Sequence, residues 1–372
     1  MHSQTKFWLL IALLVATSWA PSAARGAVDT GQGPKMASIG PLTFGPDGTL
    51  FAADNQGAAI FALDLGAQAT SGAPGAKGLD ALDEKLAALL GTGAREIAIT
   101  DLAVHPKTRQ AYVSAMRGQG AGASPTLFRI DGTGKIDLVP LTSLKFQSVE
   151  LPNPPAANAA GRQNPRVNVI TDMGFADGRL WVAGLSNEEF ASKLRAIPYP
   201  FANVDQGTSV EIYHGNHRQL ETRSPVNAFV PYMIDNKPYL LAGYTCTPLV
   251  KIPISDLKPG AQVKGVTIAD LGSGNQPLDM VPYKKDGHEY ILIANTSFGV
   301  VKLHADTLGT DKPIDSPTVV NVAGAPYDKI TALTQVQHLA SIDDSTALVV
   351  MAPRSATGGP AGPVSLKTIA LP

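Results

Sequence analysis

Cys246 is the only cysteine in 372 residues, so no disulfide can form within the chain and burial of apolar surface must hold the fold together. Charge is also scarce. Only 16% of residues are charged and the formal net charge is −1, which argues against a nucleic-acid partner, since that requires a basic patch. Aromatic residues make up just 6%. Beyond the first twenty residues, no run is apolar enough to cross a membrane as a helix, so no membrane span is expected. The chain has no P-loop, dinucleotide fingerprint, haem-attachment motif or Gly-x-Ser-x-Gly elbow.

Glycine and proline are abundant, at 36 and 29, while hydrophobic residues still reach 44%. That combination fits many short strands separated by many turns. At the N-terminus, Lys6 precedes an apolar stretch from Phe7 to Ala16, and Ser22-Ala23-Ala24 follows with the spacing a signal peptidase accepts. We therefore read residues 1–26 as a removable signal and residues 27–372 as a single domain, periplasmic or secreted.

A pattern of strand, turn and second strand recurs six times. It runs through Ile39–Asp54, Ile99–Ser114, Ile170–Gly184, Pro225–Gly243, Pro277–Asn295 and Ile330–Ala352. The third residues of these copies are Pro41, Asp101, Asp172, Asn227, Asp279 and Ala332, at spacings of 60, 71, 55, 52 and 53. Such spacing is the length of one four-stranded propeller blade. The expected fold is all-β, a six-bladed β-propeller, with a seventh blade if an insertion hides a degenerate copy. Apolar residues at helical spacing predict a helix over residues 79–90 on the outside of the ring, and 148–165 reads as a loop. Outer strands are expected at 136–141, 210–213, 266–271 and 319–322. The last copy lacks an evident fourth strand, and residues 27–35 are expected to supply it and close the ring.

The copies with Asp-Gly turns resemble six-bladed propellers of the NHL-repeat and gluconolactonase-like kind. The resemblance implies that the third position of each copy lies at the mouth of the central channel. Asp101, Asp172, Asn227 and Asp279 would then surround one axis, and three carboxylates with an amide suit a hard cation such as Ca²⁺. In gluconolactonase-like enzymes a divalent metal at this place polarises a lactone carbonyl and activates water. The first copy departs from that pattern, offering Pro41 and no nearby glutamate. A second reading stands beside it, in which these short polar side chains accept backbone N–H groups at strand starts.

Loops after the second strands should reach the same face. Arg117, Asn187, Glu188, Asn295 and Arg354 lie on them and suit a small polar ligand or a protein partner. Glu188 and Glu189 either face the channel as a repelling pair or belong to a capping box begun by Ser186. His214, His217 and Glu221, with Cys246, are a candidate copper or zinc site; Cys246 equally suits a small buried hydrophobe. Two functions follow, a ligand-binding propeller or a divalent-metal-dependent hydrolase such as a lactonase. Chain export is directly testable: N-terminal sequencing of secreted or periplasmic protein should give a start between Ala24 and Val28, and an intact Met1 would contradict it.

Overall fold

The structure, a computed structural model, describes residues 24–25, 27–28, 32–157, 164–245, 248–272, 274–318, 322–354 and 361–372. Residues 1–23 and 26, where a signal was expected, and Cys246 lie outside these.

Six sheets, antiparallel but for the parallel pairing of Gln262–Lys264 with Thr208–His214, form a closed six-bladed propeller with one α-helix among the described residues. Numbered by their innermost strands, sheet I begins at Leu42–Phe44, II at Ile97–Val104, III at Asp172–Ala176, IV at Val226–Ile234, V at Pro277–Lys285 and VI at Val336–Ser341. The second strand of each sheet carries the strongest sequence signal. Leu50–Asp54, Ala111–Arg117, Arg179–Leu185, Lys237–Tyr244, His288–Asn295 and Thr346–Met351 each contain a nearly continuous buried stretch. Continuous burial follows because both faces of a blade pack against neighbours, so alternation between polar and apolar residues is lost.

Contacts between innermost strands put the sheets in the ring order II, I, III, IV, V, VI and back to II. Each of the six interfaces between neighbouring sheets holds its own hydrophobic cluster. The order is not that of the chain. After three strands of sheet I the chain builds all of sheet II, then returns with Lys145–Glu150 to pair with Ala59–Asp64. Part of the segment expected to be a loop after Ser148 is therefore the fourth strand of sheet I.

Ring closure also differs from expectation. Ala27–Val28 pairs with Lys145–Glu150 in sheet I and does not complete the last blade. Among the described residues sheet VI has three strands, and its outer strand Ser365–Ala370 is met instead by Leu79, whose N–H and C=O both bond with Leu366. The Asp83 carboxylate accepts the Val364 N–H at 3.0 Å. Leu79 is spent on this edge and Ala81 is the left-handed residue before the helix, so α1 covers Leu82–Leu89. It buries Leu82 and Leu86 in the cluster shared by sheets II and VI. The expected outer strands appear at Ile136–Val139, Thr208–His214 and Val266–Leu271. Near the fourth, residues 319–321 lie outside the described residues; Val322–Gly324 joins sheet IV, and Tyr327–Ile330 completes sheet V.

The helix thus ties an early segment to the C-terminal sheet. Leu86→Ala should lower the unfolding free energy by about 2–5 kcal/mol through lost burial and a residual cavity. Leu89→Ala, at a side chain 52% exposed, should stay within about 0.5 kcal/mol. Denaturant titration of both variants reads the difference, and equal effects would contradict this role for α1.

Candidate functional site

The innermost strands of a propeller turn one edge toward the channel, where they have no strand partner on that side. Unpaired N–H groups there need acceptors. Near their starts, several of these strands carry a one-residue irregularity in pairing, between Ile99 and Asp101, Val226 and Ala228, Pro277 and Asp279, and Val336 and His338. The residues after the irregularity are equivalent. With Pro41 and Asp172 they give the set Pro41, Asp101, Asp172, Ala228, Asp279 and His338.

Three carboxylates take the N–H groups of all six following residues. Asp101 accepts from Leu102 at 2.7 Å and from Leu42 of sheet I at 2.6 Å. Asp172 accepts from Met173 at 2.7 Å and from Phe229 of sheet IV at 2.7 Å. Asp279 accepts from Met280 at 2.8 Å and from Leu339 of sheet VI at 2.7 Å. Around the ring, acid-bearing sheets II, III and V alternate with acid-free sheets I, IV and VI, so the six-bladed ring has a three-fold pattern of carboxylates. The aspartates cap strands, and they do so across blade boundaries around one channel.

Asp101, Asp172 and Asp279 line a cavity of about 250 Å³ in the channel together with His338. The His338 Nδ1 lies 3.2 Å from Asp101 Oδ1, with side chains only 19% and 16% exposed. Burial pushes Asp172 up to about 8, with the Asp101 charge adding to it and the N–H bonds from Phe229 and Met173 opposing it. Burial, then the charges of Asp101 and Asp172, raise Asp279 well above the usual carboxylate range. Burial alone would lower His338, but its bond to Asp101 and the charges of Asp101 and Asp279 raise it overall. Ligand atoms of Asp101, Asp279 and His338 lie within 4.8 Å of one another, close enough to share one metal ion.

Asn227 is not part of this group. It occupies the bulge position one residue before Ala228, and its amide donates to the Pro277 carbonyl at 2.8 Å. His338 takes a place that the sequence reading gave to Ala332. The missed signal is the run Val336-Gln337-His338-Leu339, which aligns with Pro277-Leu278-Asp279-Met280; Ile330 belongs to sheet V instead.

The loop residues are not brought together at one point. Asn295 is buried, donating to the Ile293 and Gly299 carbonyls while accepting from Asn275, so its amide has no free reach toward a ligand. Arg117 and Arg354 are exposed on sheets II and VI, and Arg354 reaches toward Gln337 at 3.4 Å. Asn187 and Glu188 line a separate cavity of about 400 Å³ with Arg223. Glu188 is ion-paired to Lys193 at 2.8 Å. Ser186–Glu189 lies between two strands and caps no helix.

No protein-family model matches the chain, and no curated protein matches it. Among solved structures, it is similar to a thermostable family-43 glycoside hydrolase over 74% of this chain and 89% of that one, at 12% identity and TM-score 0.40. A PQQ-bound aldose sugar dehydrogenase from Streptomyces coelicolor is similar over 94% and 100%, at 13% identity and TM-score 0.35. A candidate gluconolactonase is similar over 94% of each chain, at 10% identity and TM-score 0.33. Likeness at this level is one of architecture and says nothing of activity.

The channel electrostatics fix the sign of a pH dependence. In the fold Asp172 keeps its proton up to about 8, whereas an unfolded aspartate releases it near about 3.9. Between these values the folded state binds more protons, so stability falls as pH rises. The raised His338 acts in the same direction. In chelator-treated protein, the melting temperature should fall from about pH 5 to about pH 8. Asp172→Asn should flatten part of that slope. Calorimetry that found stability rising across this window would contradict the assignment.

Proposed function

We propose that the chain is an exported binding propeller whose channel holds a divalent cation between Asp101, Asp279 and His338, with Asp172 beside it. The cation in turn presents a docking point for a small, oxygen-rich polar ligand. The observation that carries this reading is the convergence of three carboxylates and a histidine on one cavity. Each carboxylate oxygen accepts one backbone N–H, and all but Asp101 Oδ1, which also meets His338, retain a second lone pair for a cation. Bringing a cation there would offset both the burial and the lesser repulsion that raise Asp172 and Asp279. A histidine nitrogen among the donors favours Mn²⁺ or Zn²⁺ over the Ca²⁺ that an all-oxygen ring would suit.

Hydrolysis is the second reading, and Asp172 favours it. A carboxyl that stays protonated near neutral pH is matched to donating a proton to a leaving group. A lactone or ester would then be the substrate class.

The test is addition of Mn²⁺ and Ca²⁺ to chelator-treated protein. Binding to the folded state should raise stability by about 2.7 kcal/mol at a hundredfold excess over Kd. Asp279→Ala should abolish the rise, and His338→Ala should weaken Mn²⁺ more than Ca²⁺. Replacing Asp47, an exposed turn residue that bonds only locally to Thr49 through its carboxylate, should leave the rise intact. No response to either ion would overturn the cation reading. Turnover of a lactone and ester panel by Mn²⁺-loaded protein, lost in Asp172→Asn, would select the hydrolase.

A further inference from the structure

A second cluster of metal-binding side chains lies on the outer strands of sheet III, beside the outer part of sheet IV. His214 ends the strand Thr208–His214, and Glu221 ends the short strand Gln219–Glu221 that folds back on it. The turn between them carries His217. Both histidines direct Nδ1 at one oxygen of Glu221: His214 at 3.1 Å and His217 at 2.6 Å. Their rings are 3.8 Å apart between centroids. The other Glu221 oxygen accepts from Ser224 at 2.5 Å.

His214 supplies an independent observation. The residue is fully buried, and its Nε2 has no hydrogen-bond partner. That nitrogen faces Asp270 of sheet IV, whose Oδ1 is 3.9 Å away, beyond hydrogen-bond reach. We propose that His214, His217 and Glu221 form a binding site for a Zn²⁺-class divalent metal, with Asp270 as a positioning residue for His214.

The donor set is two imidazole nitrogens and one carboxylate, a known zinc-binding combination. Metal bonds of about 2.0–2.2 Å in a tetrahedron place ligand atoms about 3.3 Å apart. The His214–Glu221 separation already meets this, and His217, 47% exposed, needs only a small outward movement. With Nδ1 on the metal, His214 carries its proton on Nε2, and a ring shift of under about 1 Å lets it donate to Asp270. Metal binding thus completes the buried nitrogen's bonding. Three protein ligands leave a fourth position on the exposed His217 side for water or an outside ligand. The bound metal would pin the outer hairpin of sheet III.

The test uses Co²⁺, whose visible absorption reports tetrahedral coordination, with calorimetry for stoichiometry. To separate this site from the channel, the starting protein is His338→Ala. It should bind one Co²⁺ with an intense visible band. Adding His217→Ala, at a half-exposed side chain whose loss spares the core, should remove the band and weaken binding at least tenfold. Asp270→Asn should weaken binding about 10–100-fold while keeping a tetrahedral spectrum. Absence of Co²⁺ binding in the His338→Ala protein, or undiminished binding after His217→Ala, would overturn the proposal without touching the channel reading.

Discussion

Six backbone N–H groups turned into a narrow channel must each find an acceptor, and three aspartates satisfy all of them. Each carboxylate spends one bond within its own strand and one on the neighbouring sheet. Such a bond contributes about 1.5–3 kcal/mol where the acceptor is ionised and about 0.5–1.5 kcal/mol where it is neutral, and an N–H left without one costs about 1–3 kcal/mol. Because the second bond crosses a blade boundary, the same side chains that cap the strands also set their register across the channel.

That solution concentrates negative charge. Burial raises Asp172 and Asp279, and the His338 ring meets Asp101 at 3.2 Å. A group of acids held above their ordinary range within one cavity is a common physical signature of a functional site, although ion-pair networks built only for stability produce it too. Here the structural role is evident in the N–H bonds, and the remaining lone pairs are what a cation would use. On the proposed reading, the three aspartates would serve both purposes.

Closure of the ring rests on a different constraint. Sheet VI is built from the last strands of the chain but finds its outer partner in residues that precede α1, and the Asp83 carboxylate fixes the start of the strand Ser365–Ala370 from outside. Sheet II is inserted within sheet I, so sheet VI closes the ring against sheet II and sheet III packs against sheet I. Closing such long loops is paid in chain entropy, offset by the separate hydrophobic cluster at every interface.

The sequence by itself determined the six apolar second strands, the helix and the recurrence of Asp101, Asp172 and Asp279 at one position, because each is a local pattern with its own period. It could not separate Asn227 from Ala228: a single bulge residue shifts the channel-facing position by one, and that shift is set by pairing with Tyr244 and Gly243 on another strand. His338 was hidden for the same reason, since Ile330-Thr331-Ala332 mimics a strand start that tertiary pairing assigns to the preceding sheet. Tertiary structure alone decided the ring order, the closing strand and the company of His338 and Asp101. All three depend on contacts between segments far apart in the chain, where side-chain periodicity carries no information.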